Sequence, residues 1–424
     1  MRKILLSSLL IASMSSWSND KPLDLFENIV QGVKSAPYYL QQDRTKQAVG
    51  VTQFDLSKFD SISEDSPLSV TSFTQNNVFF IKRLDLIDEQ RKTLVAYSKD
   101  EVESISLAIN GKHLVGNIRS KQGLYQLKTL EDGKVWIFKV DDSSLRDHAD
   151  EYIEEAIKPY ENAAENELDP QNPVDRKNTD SGDEYTVIVA YTAGFSNVAG
   201  NIQAYMDLLE TETNDSYANS QVNTRVNIVH HYQTGYADSG DFYTDRTYFR
   251  NQSNTHAQEL NNLRDTHNAD LMIVLTGNGY SFCGIANEIG ANADGAFGFA
   301  RESCATGYYS FGHEIGHLFG ARHIRHTDPS TTPFAYGHGY CNVTANTWRT
   351  VMAYGCPSGT GGPRIQQWSN PNVQVNNQVT GTAAHEDNAR VLNTRAHEVA
   401  NFRVSQQSDN LAWLVPIVTY IING

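Results

Sequence analysis

The sequence predicts two structural units, a mostly β unit over residues 19–160 and an α/β unit over residues 184–404. The length of 424 residues exceeds that of one ordinary domain. Lysine usage changes along the chain, because Lys177 is the last lysine although twelve arginines follow it. The four cysteines show the opposite bias and all lie in the second half. Regions that differ in this way indicate two units with different fates.

The first unit is predicted to be β-rich from its alternating apolar pattern and its turn signals. The dipeptides Asn110-Gly111 and Asp132-Gly133 are typical of tight turns between strands. The predicted strands cover residues 77–86, 104–109, 123–130 and 134–140. No catalytic combination of residues is found in this unit.

The second unit alternates between strand and helix patterns, which predicts an α/β layered structure. Strands are predicted over residues 185–191, 224–232, 271–276, 283–287 and 296–300. Helical spacing is found over residues 197–219, 254–267, 308–320 and 385–403.

The remaining segments predict export and processing. Residues 1–18 form an export signal, with Arg2 and Lys3 before a short apolar core and with small residues placed for cleavage after Ser18. Residues 161–183 form an acidic, proline-bearing linker that we expect to be exposed. The apolar tail at residues 405–424 has no assigned role.

Charge and hydropathy exclude two classes of partner. The formal net charge is −16, and an acidic chain gains nothing from a phosphate backbone, so we expect no nucleic-acid binding. No stretch approaches the roughly eighteen apolar residues of a membrane span. We therefore expect an exported, extracellular monomer without a stable membrane span.

The four cysteines predict two disulfides, because an even number in an exported chain is typical of paired thiols. The pairings with the shorter loops are Cys283–Cys304 and Cys341–Cys356. The alternative is a zinc site built from four thiolates, and the absence of any C-x-x-C pair disfavours it.

The segment from His313 to His323 carries the strongest chemical signal. His313 and His317 are four residues apart, so a helix would place both imidazoles on one face. Gly320 can end that helix in a left-handed conformation, and His323 then supplies a third nitrogen. Three histidines leave a fourth zinc position for water, and Glu314 is placed to act as its base.

This signature resembles that of the metzincin zinc metalloproteases. The resemblance implies a Met-turn, in which Met352 forms an apolar floor beneath the histidines. Tyr354 follows two residues later, where some metzincins carry a tyrosine that contacts zinc or the oxyanion, and the alternative is a packed tyrosine. It also implies a twisted, mostly parallel sheet with an edge strand, an active-site helix and a C-terminal helix.

The α/β unit is similar to the reprolysin-like branch, and within it to bacterial peptidyl-Asp metalloendopeptidases. The similarity rests on the residues around 185–191, 269–271, 283–286, 348–354, 363–371, 387–390 and 401–403. One departure is Ile324, where reprolysins usually carry aspartate. Residues 19–160 loosely resemble a reprolysin propeptide, which implies inhibition of the enzyme by its own N-terminal unit.

The resemblance implies an endopeptidase that acts on proteins or peptides and cleaves before acidic residues. Substrate would pair as an extra strand with the edge strand at Gly284, Ile285 and Ala286. An acidic side chain needs a fixed cation, for which Arg364 and then Arg349 are candidates. Either arginine could instead be structural.

The sequence is also compatible with two other functions. One is a metzincin of broad or hydrophobic preference, and the other is a zinc-dependent toxin or binding module with a narrow target. Glu314 disfavours the module, which has no need of a base. No motif supports a calcium ion. Release of the N-terminal unit is expected at an acidic residue between Asp169 and Glu184, or by another protease at Arg176 or Lys177.

Overall fold

The computed structural model describes eleven stretches of the chain, which include most of both predicted units. They are residues 21–26, 29–31, 45–55, 58–59, 62–70, 78–141, 145, 184–343, 347–354, 356–357 and 362–403. The predicted export signal, the acidic linker with its cleavage sites before Glu184, and the C-terminal tail lie outside these residues.

The N-terminal unit is one ten-stranded sheet. Its strands are β1 (Leu23–Asp24), β2 (Val30–Gln31), β3 (Lys46–Thr52), β4 (Pro67–Ser69), β5 (Val78–Leu86), β6 (Arg91–Ser98), β7 (Ser104–Asn110), β8 (His113–Ser120), β9 (Gly123–Thr129) and β10 (Val135–Val140). The order is β1-β4-β5-β6-β7-β8-β9-β10-β3-β2. Neighbouring strands are antiparallel except β1 and β4.

Four strands of this sheet, β5, β7, β9 and β10, coincide with predicted runs, and the other six were not predicted. Gly111 and Gly133 have φ angles of 57° and 73°, as tight turns at the predicted dipeptides require. Most residues of β6 and β8 are buried, without alternation along the strand. These strands are covered on both faces, so their sequences lack the period-two pattern that sequence reasoning uses.

The α/β unit contains a five-stranded sheet with helices around it. Its elements are β11 (Glu184–Tyr191), α1 (Ala193–Ala199), α2 (Ile202–Asn219), β12 (Arg225–Gln233), α3 (Phe242–Arg250), α4 (Thr255–Thr266), β13 (Leu271–Thr276), β14 (Gly284–Ala286), β15 (Phe297–Arg301), α5 (Glu302–Ala305), α6 (Ser310–Phe319), the hairpin β16 (Gln374–Val375) and β17 (Gln378–Val379), and α7 (Asn388–Val399). The strand order is β12-β11-β13-β15-β14, and only the edge strand β14 runs antiparallel to its neighbour.

One predicted helix in this unit needs correction, and one observed helix was not predicted. The single helix expected over residues 197–219 is two helices, because Gly200 takes φ 83° and Asn201 caps α2 with its side chain. Helix α3 was not predicted, although Asp241 supplies a regular N-cap by accepting hydrogen bonds from Tyr243 and Thr244.

Helix α2 lies between the two units and joins their cores. Its buried apolar side chains, such as Leu208 and Leu209, belong to one hydrophobic cluster with residues of the five-stranded sheet. That cluster also contains Ala108 of β7 and Val115 of β8. The N-terminal sheet therefore packs directly on the unit that carries the histidine motif.

Both disulfides have the predicted pairing. Cys283 and Cys304 join the start of β14 to α5, with 5.5 Å between their Cα atoms. Cys341 and Cys356 bridge the two sides of the predicted Met-turn, with 6.0 Å between their Cα atoms. Among the described residues, no helix has the length and apolar character to cross a membrane.

Candidate metal centre and active site

Helix α6 and the turn after it bring three imidazoles together. His313 and His317 lie one helical turn apart, and Gly320 ends the helix with φ 106° in the left-handed region. The returning chain places His323 Nε2 at 3.0 Å from His313 Nε2 and 2.9 Å from His317 Nε2. All three side chains are buried. In the described part of the chain, this is the one group of three or more residues suited to hold a metal ion.

Hydrogen bonds set the tautomer of two of these rings. His313 Nδ1 lies 2.9 Å from the Val351 carbonyl, and His317 Nδ1 lies 2.8 Å from the Ala321 carbonyl. A ring that donates from Nδ1 to a carbonyl keeps the lone pair on Nε2. Burial lowers the pKa of His317 to about 3, so its ring is neutral. Neutral imidazole nitrogens that point at one another can each donate a lone pair to a cation. The residues present therefore fit a metal ion.

Below the histidines, the helix packs closely on Met352 and Trp368. Gly316 lies on α6 between the two histidines, and a Cβ atom there would lie 3.0 Å from Met352 Sδ and 2.7 Å from the Trp368 ring. The contact with the Trp368 ring is too close for a Cβ atom, and the contact with Met352 Sδ is tight. The methionine therefore lies against the helix that presents the imidazoles, where the sequence predicts an apolar floor.

Glu314 lies beside the edge strand of the sheet. Its side chain is buried, and a Cβ atom at Gly284 would lie 2.7 Å from its Oε1 atom. The strand residues Gly284, Ile285 and Ala286 pair on one side with β15, and β14 is the outermost strand of this sheet. The carboxylate thus lies between the metal-binding helix and the strand expected to hold substrate.

The ring of Tyr354 packs against one of the three histidines. Its ring meets the His323 ring edge-on, with 4.2 Å between centroids, and the residue is half-buried. This contact places the tyrosine next to the third histidine, within reach of the chemistry that the sequence predicts for it.

The two candidate arginines lie side by side at the carbonyl of Ala353, the residue before Tyr354. Arg349 Nε and Arg364 Nη2 donate to the same Ala353 carbonyl at 3.1 and 3.3 Å. Arg349 Nη2 donates to the Tyr308 hydroxyl at 3.1 Å, and Arg364 Nη1 donates to the Tyr308 carbonyl at 2.9 Å. The Arg364 guanidinium lies 4.2 Å from the Tyr308 ring centroid. Arg364 is buried and Arg349 is half-buried.

Comparison with known proteins identifies the family. Residues 181–369 match metallo-peptidase family M12 in its reprolysin branch. A peptidyl-Asp metalloendopeptidase of Xanthomonas campestris pv. campestris is 40% identical over 314 residues, or 72% of this chain and 71% of that protein. Its counterpart in Stenotrophomonas maltophilia strain R551-3 is 39% identical over 311 residues, or 72% of each chain. One from Pseudomonas fragi is 39% identical over 193 residues, which are 45% of this chain and all of that protein.

The chain belongs to metallo-peptidase family M12. It is a metalloendopeptidase, a hydrolase that uses a catalytic metal and acts on peptide bonds of proteins or peptides.

The turn that holds the third histidine of this metallopeptidase is anchored by packing. Ile324 is buried in an apolar cluster with Ala353 and the disulfide partners Cys341 and Cys356. An aspartate is therefore not needed at this position to hold the turn in place. His338 adds a polar contact, since its Nδ1 lies 2.8 Å from the His323 carbonyl.

Sequence reasoning missed two residues that support the site of this metallopeptidase. His338 is fully buried beneath His323, but a single histidine outside a motif carries no signal in the sequence. Tyr308 connects both arginines, and it was recognised only as the predicted start of a helix. Its position two residues before α6 is the one available clue in the sequence.

Proposed function

We propose that this metallopeptidase is a secreted, monomeric zinc endopeptidase in which His313, His317 and His323 hold a single zinc ion. The observation that carries the proposal is the convergence of three buried Nε2 atoms, with neighbouring distances of 2.9 and 3.0 Å. Three imidazole nitrogens with an open fourth position suit zinc, whereas calcium prefers oxygen ligands. The two disulfides fit a protein that works outside the cytosol.

The residues around the three histidines have distinct roles in this proposal. The bound ion supplies Lewis acidity for the scissile carbonyl and the attacking water. Glu314 takes the proton of that water and then gives one to the leaving amine. Tyr354 donates to the oxyanion, and Met352 supports the imidazoles from below. Gly284, Ile285 and Ala286 hold the substrate backbone as an added strand.

Two variants test this assignment. Glu314→Gln should keep stoichiometric zinc and lose nearly all turnover, because it removes the base and spares the ligands. His317→Ala should lose zinc and turnover together. The control is His397→Ala, which changes an exposed histidine of α7 and should alter neither quantity. Zinc retained in full by His317→Ala, measured by elemental analysis, would show that the ligand set is wrong.

We further propose that the enzyme prefers acidic residues after the scissile bond and that Arg349 and Arg364 bind their carboxylates. Support comes from the pairing of both guanidinium groups at the Ala353 carbonyl, one residue before Tyr354. The relatives named peptidyl-Asp metalloendopeptidases agree with this specificity. Guanidinium groups bind carboxylates in a bidentate, charge-assisted manner that a neutral residue cannot use.

The contribution of the substrate carboxylate's charge is measured with two peptides that differ only in having Asp or Asn after the scissile bond. Arg349→Gln and Arg364→Gln should each reduce the Asp:Asn ratio of kcat/KM by about tenfold or more. Arg390→Gln is the matched control, because that guanidinium also stacks on a tyrosine, 4.0 Å from the Tyr336 ring, but on α7. Ratios equal to the parent's in both site variants would assign the cation to another residue.

We also propose that the N-terminal unit is an inhibitory propeptide, released by the enzyme itself at an acidic residue between Asp169 and Glu184. The close packing of β7 and β8 on α2 supports inhibition by an attached unit. N-terminal sequencing of the purified Glu314→Gln protein distinguishes this route from cleavage at Arg176 or Lys177. The inactive variant should stay full-length until parent enzyme is added. Processing without any active protease present would contradict self-release.

A further inference from the structure

Tyr308 is the residue through which the arginine pair contacts the N-terminal unit. Its side chain is buried, and its hydroxyl takes part in two hydrogen bonds. Arg349 Nη2 lies 3.1 Å from the hydroxyl and can only donate, so the tyrosine oxygen accepts there. The hydroxyl proton is then directed at the carbonyl of Leu145, at 3.0 Å. A hydroxyl that accepts from a guanidinium is a strengthened donor to the next acceptor.

The acceptor of this bond belongs to a residue packed near the start of the edge strand. Leu145 forms an apolar cluster with Tyr308 and Cys283, the residue that precedes the edge strand β14. The other side of Tyr308 faces Arg349 and Arg364, which both bond the Ala353 carbonyl. Leu145 therefore packs next to the residue that precedes the strand expected to bind substrate, and its carbonyl is hydrogen-bonded to the tyrosine that contacts both arginines.

We propose that Tyr308 is a specificity-determining residue whose hydroxyl binds the acidic side chain after the scissile bond. The proposal rests on the acidic preference proposed above. In the full-length chain the Leu145 carbonyl takes the place of the substrate oxygen. That contact ends when the N-terminal unit leaves, and the hydroxyl then donates to the substrate carboxylate beside the two guanidinium groups.

The ring of Tyr308 also orients the two guanidinium groups. The Arg364 guanidinium lies over it at 4.2 Å, and the Arg349 guanidinium lies 5.8 Å from its centroid. Stacking on a rigid ring orients a guanidinium plane at low entropic cost. The hydroxyl and the two cations can thus approach one carboxylate from fixed directions.

A buried tyrosine hydroxyl that donates to a backbone carbonyl is by itself common, and this chain contains a matched example. Tyr205 is fully buried and donates to the Glu302 carbonyl at 2.7 Å. Both residues belong to the α/β unit, so this bond survives loss of the N-terminal unit. The Tyr308 bond does not survive, because Leu145 belongs to the N-terminal side of the linker. Tyr205→Phe is therefore the control for loss of a buried hydroxyl.

The test compares mature parent, Tyr308→Phe and Tyr205→Phe enzymes on peptides with Asp or Ala after the scissile bond. Tyr308→Phe should reduce the Asp:Ala ratio of kcat/KM about tenfold, equivalent to about 1.4 kcal/mol, with the effect in KM. Its zinc content should match the parent's. Tyr205→Phe should keep the parent ratio. An unchanged ratio in Tyr308→Phe would overturn the proposal, whereas a parent enzyme that does not prefer Asp would overturn the acidic specificity instead.

A second variant tests the blocking role of Leu145 without any change to the mature enzyme. Leu145→Ala loosens the buried side chain next to the carbonyl, and the change is discarded on processing. The full-length variant should gain activity with a shorter lag than the parent, and its mature form should keep the parent Asp:Ala ratio. A lag equal to the parent's would show that this carbonyl does not hold the substrate position.

Discussion

At the scale of single residues, the candidate site depends on the absence of a Cβ atom at Gly284. Gly284 allows the Glu314 carboxylate to approach the edge strand, because a Cβ atom there would lie 2.7 Å from Glu314 Oε1 and 2.5 Å from the Phe299 carbonyl oxygen. Neither distance is tolerated by a real side chain. The glycine is thus needed for strand pairing and for the position that the Glu314 carboxylate adopts.

Gly284→Ala should reduce kcat by about a hundredfold, because a displacement of the base by about 1 Å has an effect of this size. Zinc content should stay stoichiometric, since no imidazole is touched. Gly298→Ala is the control, because it lies on the paired strand and its added Cβ would meet only β14 backbone and Ile273, at 3.2 Å or more. Peptidase assays and elemental analysis of both variants measure these effects. Full activity of Gly284→Ala would show that the close approach does not position Glu314.

At the scale of elements, helix α2 contacts both units with different chemistry on its two sides. Its apolar residues pack into one cluster with the five-stranded sheet, and two of its acidic residues contact polar side chains of the N-terminal sheet. Asp207 pairs with Arg91 at 3.3 Å, and Glu212 accepts from the Asn117 side chain at 2.8 Å. Because α2 is covered by both units, it is buried although its sequence contains many polar residues.

Glu212 makes the stability of the full-length chain depend on pH. Burial raises its pKa to about 7, although hydrogen bonds from Gly307 and Asn117 oppose the shift. A carboxyl group of raised pKa contributes its full stabilisation below the unfolded value of about 4.3, and this is lost as the pH rises through about 7. We therefore predict that Glu212→Gln removes part of the fall in melting temperature between pH 5 and pH 8.

The measurement is thermal unfolding of full-length protein in a Glu314→Gln background, which prevents self-cleavage. The pH dependence is compared within each variant, so that a constant loss from the altered hydrogen bonds does not enter. Asp132→Asn is the control, because its side chain is exposed on the turn between β9 and β10. Equal slopes for Glu212→Gln and the parent would mean that Glu212 does not titrate in this range.

At the scale of the whole molecule, a buried ion cluster joins the two units. Glu302 on α5 contacts Lys128 of β9, and it contacts Lys46 of β3 at 2.6 Å. All three side chains are almost completely buried. Burial alone would raise the pKa of Glu302, but the two ammonium groups hold it well below its usual range. The cluster loses its partners when the units separate, so it favours the attached state.

Lys128→Met should destabilise the full-length Glu314→Gln chain by about 3 kcal/mol, because the buried Glu302 carboxylate loses one of its two cationic partners. Lys121→Met is the control, since Lys121 pairs with Asp100 at 2.9 Å on the exposed surface of the same sheet. That change should cost less than about 1 kcal/mol. Urea unfolding measures both losses. Equal, small losses would show that the buried cluster does not hold the units together.

The local sequence predicts the chemistry that we propose for this protein. Helix periodicity is local, so the spacing of His313, Glu314 and His317 sets which side chains share a face before any tertiary contact exists. Gly320 and the position of His323 follow from helix termination, which is local as well. Short loops likewise predicted both disulfides, and alternating strand and helix patterns predicted most of the α/β unit.

The contacts between the N-terminal unit and the candidate site depend on tertiary packing. Lys128 and Glu302 are 174 residues apart, and Tyr308 and Leu145 are 163 residues apart. Such contacts depend on how two separately patterned units pack, which no local period encodes. The same packing buries β6, β8 and the acidic side of α2 on faces that would otherwise meet water. Their sequences therefore lack the alternation that reveals a half-exposed element.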